Sequence, residues 1–213
     1  MDLKTLTKNK PLLWGAVALL VLVAGVIGWR AYSSYRQHSL QQAVVPQVQA
    51  ADAKLREALG QALEPDPAQA EQSAAMLEAT AQDLEARLAA LRALDAAPDP
   101  TRVASAEEAL DNAAALVRAQ ASVVRAGIAF GQARDALVAH MRSVGTRRGA
   151  WVSEAIELKR RMDKAYFDYK LALDSLKARL GDVPDEALAA QVRARIDAAL
   201  KRAAAARAAA GRL

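Results

Sequence analysis

The residues from Pro11 to Trp29, PLLWGAVALLVLVAGVIGW, carry no charged side chain. As a helix this stretch rises about 28 Å, close to the hydrocarbon thickness of a bilayer. Trp14 and Trp29 stand near its ends, where indole rings favour the headgroup region. Two other accounts are weaker. A buried core helix would rarely be flanked so sharply by Lys8, Lys10 and Arg30. A cleaved signal peptide has a shorter apolar region followed by small residues, and here Trp29-Arg30-Ala31-Tyr32 follows. The expectation is a retained transmembrane signal anchor at 11–29 with the lipid bilayer as its first partner and Trp14 and Trp29 as interface anchors. Lys4, Lys8 and Lys10 precede it and Arg30 and Arg36 follow, a bias that places the N-terminus inside. In a bacterium, residues 1–10 are then a cytoplasmic tail and the rest faces the periplasm from the inner membrane.

The remainder reads as helix. Alanine makes up about a quarter of the chain, aromatics only 4%, and β-branched residues are sparse outside the anchor. Ala, Leu, Glu, Gln, Arg and Lys all favour helix, and small side chains suit close helix–helix contact. No segment has a convincing two-residue alternation. Cysteine is absent, which removes disulfides, thiolate nucleophiles and cysteine metal sites. The net charge of +5 hides an asymmetry: residues 37–141 sum to −6 and residues 142–213 to +7. An acidic middle can pair with a basic end, or the basic end can meet anionic lipid or an acidic partner, but solvated helix faces are the favoured reading.

Punctuation divides the chain. Residues 30–63 continue from the anchor as a stalk and first helix, with a kink or restart expected at Pro46, which lacks an amide hydrogen. Glu64-Pro65-Asp66-Pro67 and Ala97-Pro98-Asp99-Pro100 are stop-and-start signals: an Asp that caps, then a Pro pre-set for the first helical position. Gln69 completes a capping-box pattern with Asp66. These marks predict a bundle over 64–213 with helices at about 67–96, 100–142, 150–180 and 184–210. The clearest seam is Ala70, Ala74, Leu77, Ala81, Leu84, Leu88 and Leu91, spaced alternately by four and three. Val103, Ala106, Leu110, Ala113, Val117, Gln120, Val124 and Ile128 repeat it. So do Ala155, Leu158, Met162, Ala165, Tyr169, Ala172 and Leu176, and then Leu188, Val192, Ile196, Leu200 and Ala203. Gly127 and Gly131 fall inside the third helix, where close packing is the favoured explanation of a residue that otherwise weakens helix. Gly181 is expected to cap the fourth helix, and the alanine-rich end to fray. The seams close within one chain or between copies; periodicity does not choose, so a homo-oligomer stays open. The 33-residue spacing of Pro67 and Pro100 is near a tetratricopeptide period, but the interval holds one helix rather than two.

Catalytic patterns do not emerge. His38 and His140 stand apart without metal-type neighbours, and no phosphate loop, H-E-x-x-H or G-x-S-x-G occurs. The expectation is no enzyme, no cofactor and no metal. The densest cluster of charge and aromatics is Lys159 to Lys170, KRRMDKAYFDYK. Basic residues with aromatics can bind nucleic acid, but Met162, Ala165 and Tyr169 belong to the seam and the expected compartment is not cytoplasmic. The cluster reads instead as a helix face with Lys159, Arg160, Lys164 and Lys170 available to a protein partner, and no nucleic acid is expected.

The block from Asn9 to Tyr32 is similar in style to the signal anchor of the bacterial ancillary SecYEG translocon subunit, in which an apolar helix ending in Gly-Trp-Arg precedes a periplasmic repeat domain. The likeness covers about a tenth of the chain, and the following region lacks that repeat, so membership does not follow. The layout also resembles membrane-anchored coiled-coil scaffolds and the four-helix sensor modules of bacterial receptors. The sequence therefore predicts an all-α protein: a single N-terminal transmembrane helix, then an elongated antiparallel bundle of helical hairpins. The expected task is non-catalytic, a scaffold or adaptor with a protein partner in the cell envelope. The rival is a periplasmic ligand-sensing bundle that signals through a partner.

Overall fold

A computed structural model of the chain describes residues 10–64, 66–94, 99–143 and 149–212, with side chains throughout except at 10–29, 31, 33 and 40. The described residues are helical, with no strand among them. Five α-helices follow in order: α1 (Lys10–Gly60), α2 (Pro67–Arg92), α3 (Pro100–Arg142), α4 (Ala150–Arg179) and α5 (Glu186–Ala210), with a 3₁₀ turn at Leu180–Asp182 before α5. The apolar stretch 11–29, expected as an anchor, is helical backbone within α1. Its side chains, including Trp14 and Trp29, lie outside the described residues, as do residues 1–9 and 144–148. Among the described residues, the helix long and apolar enough to cross a membrane is α3, and half of its most apolar window is buried against its neighbours.

The caps explain most boundaries. The Asp66 carboxylate accepts from the amide of Ala68 at 3.0 Å, Asp99 from Arg102 at 3.1 Å and Asp185 from Leu188 at 3.0 Å. Pro67 and Pro100 occupy first-turn positions, where a missing amide hydrogen costs nothing. Pro46 does not end its helix: α1 runs through it, and the expected restart is absent. Packing downstream holds this segment, since Val44 is buried with Leu91, Val103 and Ala106. Helix α2 stops at Arg92, four residues before the expected end. Gly181 is not the cap of α4; Leu180 is, and the chain tightens into the 3₁₀ turn.

The central element is α3, which makes its most extensive contacts with α2 and α4. Helices α1 and α2 cover it from its N-terminal end and α4 and α5 from its C-terminal end, and α2 reaches past its midpoint to Arg125. Ion pairs report the directions. Arg125 meets Glu78 at 2.6 Å, Arg118 meets Glu85, and Arg92 meets Glu107 at 3.5 Å, so α2 and α3 are antiparallel. Lys177 meets Asp197 at 2.6 Å and Arg207 meets Asp163 at 2.7 Å, so α4 and α5 are antiparallel. The α1 end and α5 run the same way: Arg56 reaches Asp185 at 2.9 Å, and Glu64 reaches Arg202 further along both. The architecture is thus five helices packed together, as expected, arranged as two three-helix bundles in tandem that share α3 and one apolar core. The seam of α2 is buried at every expected position, and it closes within one chain.

Two points concern charge and the C-terminal end. Most described charge pairs lie within each bundle; acidic middle to basic end is represented by Glu64–Arg202. The alanine-rich terminus does not fray: α5 stays helical to Ala210, with Ala203 and Ala210 buried and Arg207 held by Asp163.

The two bundles are locked where α1 ends. Helix ends leave carbonyls without amide partners and carry partial negative charge. Arg195, on α5, donates to the carbonyls of Leu59, Gly60 at 3.2 Å and Gln61 at 3.0 Å. Burial pushes its guanidinium pKa down, and the three carbonyls supply acceptors to the partly desolvated charge. Fully buried Gln120, on α3, donates from Nε2 to the Ala58 carbonyl at 2.7 Å.

Candidate functional site

Beside this lock lies a cleft of about 420 Å³. It is bounded by the α1–α2 connection, the second half of α3, Tyr169 of α4 and Arg202 of α5. Each wall follows from a local rule. Asp66 starts α2 and so fixes Leu63 and Glu64 at the rim. The seam of α4 turns Tyr169 inward, leaving its residue 2% exposed. The Tyr169 ring crosses α3 at Gly127, where a Cβ would sit 3.3 Å from the ring's Cε2. It stacks on Phe130 with centroids 6.2 Å apart and 17° between planes, while Tyr166 meets Phe130 edge-on at 5.8 Å. Gly127 therefore answers to close packing, as expected. Gly131 does not: a Cβ there meets nothing within 4 Å, and the residue lines the open cleft.

The polar end is a three-residue relay. The Tyr169 hydroxyl donates to Glu64 Oε1 at 3.2 Å. Glu64 Oε2 accepts from Arg202 Nε at 2.8 Å and lies 2.5 Å from Nη2. Burial raises the Tyr169 pKa, the Glu64 charge raises it further, and Arg202 offsets part of this. The phenol is thus a fixed neutral donor. At the other rim Arg134 donates to Asp135 from Nε at 2.8 Å and Nη2 at 2.6 Å. The arrangement is one for holding a molecule: apolar walls, a few oriented polar groups and paired charges. Among the described residues, no three metal-ligating side chains converge.

The four residues assigned from sequence to a partner contact sit elsewhere, all exposed on α4. They do not converge. Lys159 lines a groove with Tyr166, Arg207 and Arg212 between α4 and α5. Arg160 and Lys164 share the outer face with Ile156, Phe167 and Leu171, which are 65%, 56% and 70% exposed. Lys170 flanks this face. Arg207 ties it to α5, its guanidinium 4.9 Å from the Tyr166 centroid and 5.2 Å from that of Phe167. His140 packs at the α3–α4 corner, stacked 4.7 Å from Trp151 with Nε2 3.0 Å from the Trp151 carbonyl.

Sequence reasoning missed Glu64, Phe130, Gly131 and Arg202 as a group. Glu64 reads in sequence as part of the stop signal at 64–67, and no sequence pattern singles out Arg202. The one available hint was a second glycine inside a long helix. In comparison with known proteins, no family model, no curated protein and no solved structure matches this chain.

Proposed function

We propose that this chain is a non-catalytic adaptor anchored by one N-terminal helix, presenting its helical rod on the periplasmic side of a bacterial inner membrane. The observation that carries this reading is the continuity of α1. One helix leads from the apolar stretch into the core, whose first buried side chain among the described residues is Val44. The 14 residues between Trp29 and Val44 add about 21 Å of helix, a rigid spacer between bilayer and bundle. The outer face of α4 supplies a contact surface: exposed Ile156, Phe167 and Leu171 beside Arg160 and Lys164 suit an apolar partner surface with acidic edges.

The absence of native cysteine makes the test clean. Ser175→Cys, on exposed α4, is expected to react with a membrane-impermeant maleimide in spheroplasts, and Thr5→Cys only after lysis. Reaction of both only after lysis overturns the topology. A photo-crosslinking residue at position 167 should then give one stoichiometric adduct in vivo, and its absence removes the adaptor assignment. A second reading, a ligand-binding bundle that signals through a partner, has the cleft beside Glu64 and Tyr169 as its support.

A further inference from the structure

The cleft has a feature that narrows what can occupy it. The four charged side chains that line it are already matched, Glu64 with Arg202 and Arg134 with Asp135. These pairs are partly exposed, so an ionic ligand breaks one at modest cost, but against the apolar walls between them its own charge loses water and finds no unmatched partner. The walls between the two pairs are apolar, formed by Val124, Ile128, Phe130 and Ala206. The floor is kept low at Gly131, where no neighbouring atom forbids a side chain and a glycine weakens the helix. Packing gives no reason for that glycine; open space above it does. The cavity volume falls within the range of sites for small molecules.

We propose that this cleft binds an uncharged, largely apolar small molecule, its polar end, where it has one, a hydroxyl or amide N–H directed at the Glu64 carboxylate and the Tyr169 phenol oxygen. This rests on the ligand-binding reading and not on the adaptor reading. Tyr169 has little freedom to move, being stacked on Phe130 and packed on Gly127, so the site is preformed and recognition is by shape and by the exclusion of charge.

A matched pair of photolabels tests it on the full-length chain in phosphatidylcholine nanodiscs: the benzyl alcohol of trifluoromethyl-phenyldiazirine, and the corresponding benzoic acid. Labelled positions are mapped by mass spectrometry. The alcohol should label α3 between Val124 and Asp135 and α5 near Ala206, saturably, and the benzoate about ten-fold less, as expected for an unpaired charge. Gly131→Phe fills the cleft from α3 and should lower labelling there about ten-fold. Ala206→Phe does the same from α5, and Phe167→Ser on the outer face should leave it unchanged. Circular dichroism checks that the variants fold, and the wild-type map decides alone if they do not. No cleft labelling by either probe overturns the ligand-binding reading together with the proposal. Equal labelling by alcohol and benzoate, lost in Gly131→Phe, keeps the site and overturns the uncharged ligand class. Labelling that survives both cleft-filling variants overturns the cleft as the site.

Discussion

At the scale of the residue, Gly127 and Gly131 stand about one turn apart on the same helix in opposite surroundings. Replacing Gly131 by Ala should stabilise the protein by about 0.5–1 kcal/mol, the ordinary helix gain, because the methyl group enters open space. Gly127→Ala makes the same backbone gain but drives a methyl to 3.3 Å from a ring stacked on Phe130. Its urea midpoint should fall below that of Gly131→Ala by an amount worth about 1 kcal/mol or more. Equal midpoints would mean that Tyr169 yields easily, and that the site is less rigid than its stacking implies. Arg195 provides a second test. Arg195→Met strips donors from the carbonyls of Leu59, Gly60 and Gln61 and should cost about 1–3 kcal/mol. Arg195→Lys should recover only part of this, since a point charge cannot span three acceptors as a planar fork does.

At the scale of the element, legibility followed the number of neighbours. Every expected seam position of α2 is buried because this helix lies chiefly on one partner, so a single stripe describes it. On α3 the stripe was half the answer. Ala114, Leu116, Ala121, Val123, Phe130 and Leu137 are also buried, because helices cover this element from more than one side. The terminus of α5 was misjudged because alanine buries little area by itself, yet its small size is what lets α5 lie close to α4. The cleft was the least legible part: Glu64 and Arg202 are 138 residues apart, and no periodicity relates them. Two further outcomes belong here. Pro46 is exposed inside α1, so Pro46→Ala should restore one ladder bond and raise stability by about 2–3 kcal/mol in thermal or urea unfolding. Asp83 joins α1 to α2 through Lys54 Nζ at 2.9 Å and Arg87 Nε at 2.7 Å. The hydrogen bond from Lys54, then that from Arg87, holds its carboxyl below the usual carboxylate range. A lowered folded-state value gives stability that is complete above the ordinary carboxylate pKa and lost as pH falls through the lowered one. The stability gap between wild type and Asp83→Asn should therefore close on acidification from about pH 7 to about pH 2. A gap that stays constant would remove the electrostatic account of this joint.

At the scale of the whole molecule, the shared helix sets both shape and cooperativity. Helix α3 alone spans about 64 Å, and a fragment from Gln37 onward adds about two turns of α1. X-ray scattering from that fragment should give a maximum dimension of about 80–90 Å; a value well above about 100 Å would mean that the hairpins open out. Because both bundles own part of α3, neither can melt without unpacking the other. Probes on α2 and α4 should report one common unfolding midpoint, whereas separate midpoints would show two independent units. The clasp at the end of α1 also has a consequence in time. Arg195 follows Gly60 by 135 residues. At 5–20 residues per second that interval lasts roughly 7–27 s during synthesis. For most of it the first helix is outside the ribosome while the group that closes its end has yet to be translated. A nascent chain stalled before Arg195 leaves those three carbonyls to water or to a chaperone, so the final helix governs when the first one becomes secure.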